Sequence, residues 1–396
     1  MKNIFILLLI CTLHFPISTL AADPQFSTRA KSAYIMDYDS EAEIWSRDAD
    51  ELLPPSSMIK LMTLAVVFDA IKDGSLKLGD KLSVSENADH KNPIWTQASK
   101  VCLVAGQDIS VRDAILGVIV VSGGDASVVL AERLAGTEGD FTIMMQRKAR
   151  ALGMDKSSFA NVSGLPARDN LMTARELGVL AENMIRDYPD MYPMFATRRF
   201  EYNDFKDGWC KTWGDLHRVN YNKLLFMMGG ADGMKTGHTD TGGFGMVASA
   251  KRGTRRLIGI VNGLRVKNHD ALASEMKRML EWGFANTTTR VFFKEGQVVA
   301  KIPVWYGRQK VVEAAPQRPV AATIFNGGSI SDVQVIARYN DPVSAPVKKG
   351  DRVGDVLVKQ GGKVVATIPL VAKKDVNKAQ FFGRMFMNIG IILGQK

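Results

Sequence analysis

Residues 54–60 read Pro-Pro-Ser-Ser-Met-Ile-Lys and lead into an apolar run that stops near Gly74. A run that is apolar on every side predicts a buried helix, and proline and glycine are common at a helix start and end. Ser57 and Lys60 therefore fall in the first turn, on one face. A serine hydroxyl becomes a nucleophile when a base takes its proton, and a lysine amine can do so once burial has lowered its pKa.

This S-x-x-K pattern is weak by itself, because Ser274–Lys277 repeats it in a charged segment typical of a helix surface. Two further pieces follow Ser57 in order. Ser122 stands in a Ser-Gly-Gly sequence between two predicted helices, and Lys235-Thr236-Gly237 is the only K-[ST]-G in the chain. The three pieces are the S-x-x-K pair, the serine at the helix break and the K-T-G tripeptide. In this order along the chain they predict an acyl-transfer site of the serine-lysine type.

Strand patterns occur at both ends of the first 289 residues, with helix patterns between them. The predicted elements are strands at 33–36, 43–46, 244–250 and 257–262, and helices at 57–74, 110–121, 125–136, 141–151, 173–186 and 270–284. This order predicts an α+β domain whose sheet is completed by its two chain ends.

After Asn286, short β-rich runs alternate with Gly, Pro, Asn and Asp, which predicts a small all-β domain. From residue 377 onward helical periodicity returns, with an apolar face from Phe381 to Leu393. A helix of this length can lie in a membrane interface but cannot span a bilayer. Packing of the helix on its own domain or on a protein partner is the alternative.

The chain carries a formal net charge of +10, and residues 290–396 contain 17 Lys and Arg against 7 Asp and Glu. All of the excess is therefore C-terminal, which indicates an anionic partner for that part, either a lipid surface or an acidic polymer. Residues 1–22, with Lys2, an apolar run and small residues before Asp23, predict a secretory signal peptide. Nucleic acid is not expected as a partner of an exported chain without a binding motif.

Cleavage of that peptide leaves Cys102 and Cys210, which could form one disulfide or remain free thiols. The five histidines show no H-x-x-H spacing, so no metal site is predicted. No cofactor is expected.

Together the motifs resemble those of low-molecular-mass penicillin-binding proteins, the serine-type D-alanyl-D-alanine carboxypeptidases of peptidase family S11. The similarity runs from about Ala30 to the end of the chain. The segments that carry it are Pro55–Thr63, Val121–Ala126, Asn161–Leu165, Lys235–Thr239 and Glu281–Phe284.

The resemblance implies a role for each residue that matches a motif. Ser57 would attack the bond between the terminal D-alanines of a peptidoglycan stem pentapeptide, Lys60 would be its base, and Ser122 would relay a proton. Lys235, with Thr236 and Gly237, would hold the substrate's terminal carboxylate. The backbone N–H groups of Ser57 and His238 would form the oxyanion hole. β-Lactams would acylate the same serine.

The resemblance also implies a domain plan. We expect a signal peptide at 1–22, a serine β-lactamase/transpeptidase-like catalytic domain at 23–288, a β-rich domain at 289–374 and an amphipathic helix at 375–396. The helix would dock the enzyme on the anionic periplasmic face of the inner membrane.

One position departs from the family pattern, because Gly124 stands where the family usually has asparagine. That amide would contact the substrate, so its loss leaves a weakly active or inactive penicillin-binding protein with a structural role as the alternative function. On the sequence alone, Gly124→Asn is expected to raise D-alanine release or to change the choice of peptide.

Overall fold

The computed structural model describes residues 4–9, 26–200, 202 and 219–379. The chain divides into two compact units. One contains Gln25–Tyr38 and Glu43–Ala285, and the other contains Asp39–Ala42 and the chain from Asn286 onward, together with strand β1 (Ile4–Leu9). The predicted boundary near residue 288 is therefore close to the observed one.

A five-stranded antiparallel sheet forms the centre of the first unit, in the order β3-β2-β8-β7-β6. Its strands are β2 (Ser32–Asp37), β3 (Glu43–Arg47), β6 (Ala231–Thr239), β7 (Gly243–Arg252) and β8 (Arg255–Leu264). A small hairpin of β4 (Lys81–Ser83) and β5 (Asp108–Ser110) stands apart. Because β2 pairs with β8, both ends of the unit complete one sheet, as the sequence predicted.

The described helices of this unit are α1 (Lys60–Lys72), α2 (Val111–Val120), α3 (Gly124–Ala135), α4 (Glu138–Ala151), α5 (Ala174–Asp187), α6 (Leu224–Met227) and α7 (His269–Asn286). Three of them begin at side-chain caps, in which Ser110, Thr137 and Thr173 each accept a backbone N–H of the first turn. Helix α1 is buried along almost its whole length, which explains a sequence that is apolar on every side.

The second unit is built from strands, as the sequence predicted. They are β9 (Thr287–Phe293), β10 (Ala300–Trp305), β11 (Val311–Pro316), β12 (Val320–Phe325), β13 (Val333–Asn340), β14 (Val343–Ser344), β15 (Arg352–Gln360) and β16 (Lys363–Ala372). The order in the larger sheet is β1-β13-β15-β16-β11-β10-β14, and β9 and β12 form a separate ribbon. Small aliphatic side chains fill the core of this second unit.

The apolar run near the N-terminus forms β1 in the full-length chain and pairs antiparallel with β13, Ile4 opposite Asn340. A signal peptide at 1–22 stays a prediction. Its removal would take β1 with it and leave β13 at the edge of the sheet.

The start of the tail differs from the predicted helix at 375–396. Val376 is buried and bridges to Val347, and Lys378 bridges to Gly307, so the chain to residue 379 belongs to the β unit. Val376 belongs to the apolar core of that unit, which explains why the chain at this point bridges to strands instead of starting a helix. Residues 380–396, which carry the apolar face, lie outside the described residues. Within the described part, no helix combines the length and apolar character needed to cross a bilayer.

Cys102 is disulfide-bonded. Both other cysteines, Cys11 and Cys210, lie outside the described residues, so Cys210 stays the predicted partner.

Candidate active site

Ser57 lies in a 3₁₀ turn (Ser56–Ile59) that leads directly into α1, rather than in the first turn of an α-helix as predicted. A 3₁₀ turn has three residues per turn, so side chains at positions i and i+3 eclipse each other. This brings Lys60 beside Ser57, and Lys60 Nζ donates a hydrogen bond to Ser57 Oγ at 3.0 Å.

The Lys60 amine is buried, and burial lowers its pKa to about 7 because the charged form loses its hydration. The negative charge of Asp125 opposes this shift only in part. Lys60 Nζ also donates to the backbone carbonyl of Ser163, in the predicted loop 161–165. Near neutral pH a large share of Lys60 is therefore an uncharged amine that can accept the serine proton.

Ser122 lies at the break between α2 and α3, with a left-handed φ of 60°. A serine in this conformation is uncommon and is often found at functional sites. Lys235 extends from β6 and donates to Ser122 Oγ at 2.9 Å and to the Thr236 carbonyl at 2.9 Å. The structure thus joins the second and third sequence motifs directly.

Lys235 is buried, and its pKa lies well below the ordinary lysine value. Burial is the larger cause, and repulsion from Lys60 adds to it. A buried amine with few counter-charges is stabilised as a cation when an anion arrives beside it. Lys235 is therefore suited to receive a carboxylate.

Two glycines allow the backbone to approach the nucleophile. A Cβ on Gly237 would lie 3.1 Å from the Ser57 nitrogen, and one on Gly164 would lie 2.2 Å from the Ser56 carbonyl oxygen. Gly164 also has a φ of 79°, which favours glycine. Strand β6 and the loop at 161–165 therefore both pack against the turn that carries Ser57.

A cleft of about 410 Å³ opens over these groups. Six of the seven predicted site residues line it, namely Ser57, Lys60, Ser122, Thr236, Gly237 and His238. Lys235 is not among the lining residues, but its amine bonds to Ser122 Oγ, which does line the cleft.

Asp125 positions the second motif, a role that the sequence did not predict. Its buried carboxylate accepts the backbone N–H groups of Val101, Cys102 and Leu103 at 2.9, 2.8 and 3.1 Å, and that of Ala126 at 2.8 Å. Burial raises its pKa, and these hydrogen bonds act in the opposite direction. The carboxylate fastens the loop before α2 to the second motif, and the signal was an acidic residue directly after that motif in an apolar helix.

Trp95, Tyr221 and His269 also line the cleft and were not predicted. His269 is uncharged at neutral pH, since burial and the nearby Lys235 lower its pKa to about 4. Its ring lies 5.2 Å from that of Tyr221. This side of the cleft is therefore aromatic and uncharged.

The second S-x-x-K sequence is not part of the site. Ser274 donates to the Asp270 carbonyl within α7, and Lys277 faces Glu281 one turn away. Among the described residues, no group of three or more His, Cys, Asp or Glu side chains could hold a metal ion.

The space around Gly124 contradicts the expectation that Gly124→Asn raises activity. A Cβ at this position would lie 2.4 Å from Cζ3 of the Trp95 ring, and Trp95 is 2% exposed. An asparagine has no room there while Trp95 keeps its place. The substitution alone is now expected to lower both stability and acylation.

The fold is an antiparallel sheet with flanking helices, and its cleft is built around two serine-lysine pairs. These features define the serine acyl-transferases of the penicillin-binding type. Residues 18–265 match the family model of the D-alanyl-D-alanine carboxypeptidases of peptidase family S11, and residues 288–378 match that of the C-terminal domain of penicillin-binding protein 5. The chain belongs to this family, and it is a serine-type D-alanyl-D-alanine carboxypeptidase.

Individual relatives are similar over nearly the whole chain. D-alanyl-D-alanine carboxypeptidase DacF of Bacillus subtilis is 31% identical over 90% of this chain and 88% of its own length, and DacC of Escherichia coli is 32% identical over 91% and 87%. Penicillin-binding protein 5 of Haemophilus influenzae superposes with a TM-score of 0.74 at 31% identity, covering 90% of this chain and all of that one. Penicillin-binding protein D2 of Listeria monocytogenes, solved with ampicillin bound, has a TM-score of 0.55 at 26% identity and covers 66% of this chain and 99% of its own.

Proposed function

We propose that the chain removes the terminal D-alanine from peptidoglycan stem pentapeptides through an ester on Ser57. The observation that carries this proposal is the 3.0 Å hydrogen bond between Ser57 Oγ and the Lys60 amine, whose pKa burial lowers to about 7. Ser57 Oγ attacks the carbonyl carbon between the two D-alanines while Lys60 Nζ takes the hydroxyl proton. The backbone N–H groups of Ser57 and His238 stabilise the oxyanion.

Collapse of the tetrahedral intermediate breaks the C–N bond and releases D-alanine. The departing amine takes up the proton that Lys60 removed from Ser57, passed on through the hydroxyl of Ser122, which lines the cleft, and Lys60 is left neutral. The remaining acyl-enzyme ester is hydrolysed by water, with Lys60 again as the base, and Ser57 is regenerated.

The proposal assigns the choice of a chain end to Lys235. The terminal carboxylate of the substrate restores the charge on the buried Lys235 amine through a charge-assisted hydrogen bond. A positive Lys235 in turn favours the neutral form of Lys60, because each of these two amines lowers the stability of the other's charge. Binding of the correct substrate therefore prepares the base.

Purified protein is expected to release D-alanine from an L-Ala-γ-D-Glu-L-Lys-D-Ala-D-Ala pentapeptide. The same peptide with a C-terminal carboxamide is the matched control, and release from it should fall by at least about 10²-fold, because a neutral carboxamide offers no negative charge that would restore the charge on the buried Lys235 amine. Chromatographic assay of free D-alanine or D-alaninamide decides the result. Equal hydrolysis of both peptides would contradict the role of Lys235, and hydrolysis of neither would favour the structural alternative.

We also propose that the tail places the enzyme on an anionic membrane surface, on the periplasmic side that the signal peptide predicts. The last described residue, Ala379, donates its backbone N–H to the Tyr306 carbonyl in the β10–β11 hairpin. Trp305 in this hairpin is 46% exposed, and Arg308 and Lys310 beside it are exposed as well. A tryptophan and two cations at the point where the apolar tail begins are suited to the headgroup region of a bilayer.

Truncation after Ala379 is expected to leave a protein that binds penicillin but no longer sediments with anionic vesicles. The cut keeps Val376 and Lys378, which bridge to the β unit, and so avoids the damage that a cut after Lys374 would cause. Vesicles of phosphatidylglycerol and phosphatidylethanolamine are compared at low and high salt, and high salt should only weaken binding of the full-length mature chain. Failure of that chain to sediment at low salt would contradict the proposal.

A further inference from the structure

Position 124 and the tryptophan above it form a tight contact that the reaction described so far does not use. The Trp95 ring lies where a side chain at position 124 would stand, with Cζ3, Cε3 and Cη2 at 2.4, 3.1 and 3.2 Å from a Cβ on Gly124. We propose that Trp95 occupies the place of the missing family amide, so that this enzyme binds its acyl donors without the substrate-amide contact that the asparagine would make. The inference rests on the proposed acylation of Ser57.

The indole is held in place from its other side. Trp95 Nε1 donates to the Asn87 carbonyl at 2.9 Å, and the ring is 2% exposed while it also lines the cleft. A buried aromatic ring with its polar atom bonded is a fixed group rather than a mobile cover.

The loop that carries Trp95 is fastened to the second motif at two points. The Gly124 N–H donates to the Ser99 carbonyl at 2.9 Å, and the Asp125 carboxylate accepts the N–H groups of Val101, Cys102 and Leu103. Because both attachments lie within three residues of Ser122, the loop cannot move away to admit an asparagine without losing buried hydrogen bonds. Trp95 and Gly124 are therefore a matched pair, and neither can be exchanged alone.

The pairing has a consequence for selectivity. An asparagine amide would donate or accept a hydrogen bond at the substrate amide next to the scissile carbonyl, whereas the indole face and Gly124 offer no side-chain polar atom at that point. An enzyme that lacks this contact should discriminate little between acyl donors with and without the amide. Trp95 thus acts as a specificity-determining residue through the space that it fills.

Two β-lactams that differ only in this amide test the inference. These are 6-acetamidopenicillanic acid and 6-aminopenicillanic acid, and intact mass spectrometry follows acylation of Ser57 by each. The two compounds are expected to acylate the unmodified enzyme with rate constants within about threefold of each other. In Gly124→Asn/Trp95→Gly the space for the amide is restored, and the ratio should rise on the order of tenfold in favour of the acetamido compound.

Single variants measure the pairing itself. Gly124→Ala and Gly124→Asn should each lower the melting temperature and slow acylation by both compounds, and Trp95→Gly should reverse part of the thermal loss when added to Gly124→Asn. Tenfold discrimination by the unmodified enzyme overturns the inference without any variant, as does a stable Gly124→Asn that acylates normally. No adduct with either compound on the unmodified enzyme would instead overturn the proposed function.

Discussion

Replacing Ser57 with alanine is expected to abolish the penicillin adduct completely. The unmodified protein should gain the mass of one β-lactam on intact mass spectrometry, because Ser57 Oγ is hydrogen-bonded to the Lys60 amine, whose pKa burial lowers to about 7. Ser57→Ala removes the attacking oxygen but leaves the cleft, Lys60 and Ser122 in place. D-Alanine release should be lost together with the adduct, since both depend on the same ester.

The chain offers its own matched control for this experiment. Ser274 heads the second S-x-x-K sequence but bonds to the Asp270 carbonyl on the exposed face of α7. Ser274→Ala should therefore acylate at the normal rate. An adduct that persists in Ser57→Ala, or one that disappears in Ser274→Ala, contradicts the assignment of the nucleophile.

Lys60→Arg is expected to slow acylation by about 10²–10⁴-fold, the range that loss of a general base produces. Arginine keeps a positive charge, but its guanidinium does not release a proton in the accessible pH range. The unmodified enzyme should acylate faster as pH rises through about 7, because the pKa of Lys60 lies there and the neutral amine is the active form. Above that value the rate should level off.

In Lys60→Arg the acylation rate should be low and should no longer rise with pH. Loss of the pH dependence separates a catalytic base from a structural contact. Lys277→Arg in the second S-x-x-K sequence is the control, and its pH profile should match that of the unmodified enzyme. Rapid-quench measurement of the adduct between pH 5.5 and 9 supplies both profiles. A normal rate in Lys60→Arg, or a pH-independent rate in the unmodified enzyme, would remove Lys60 from the mechanism.

The sequence predicted those features that have a local signature. The capping sequences at Ser110 and Thr173 placed the starts of α2 and α5, and the Ser-Gly-Gly sequence placed a break between two helices. Short β-rich runs separated by Gly, Pro, Asn and Asp predicted the β unit after Asn286. Three ordered motifs sufficed to name the groups that meet in the cleft.

Features that depend on distant residues were not predicted. The contact of Trp95 with Gly124 and the carbonyl of Ser163 at Lys60 are products of packing, and a backbone carbonyl has no sequence signature.

The pairing of β2 with β8 also bears on when the enzyme can become active during the export that the signal peptide predicts. Ser32 in β2 lies opposite Asn262 in β8. Strand β2 therefore cannot pair with β8 until the chain has been synthesised to that point. Contacts between residues so distant in sequence form slowly. The turn that carries Ser57 also packs against β6, which lies more than halfway along the chain. If the predicted signal peptide directs export from the N-terminus, Ser57 crosses the membrane before β8 has followed, and acylation is expected only after translocation has passed residue 264.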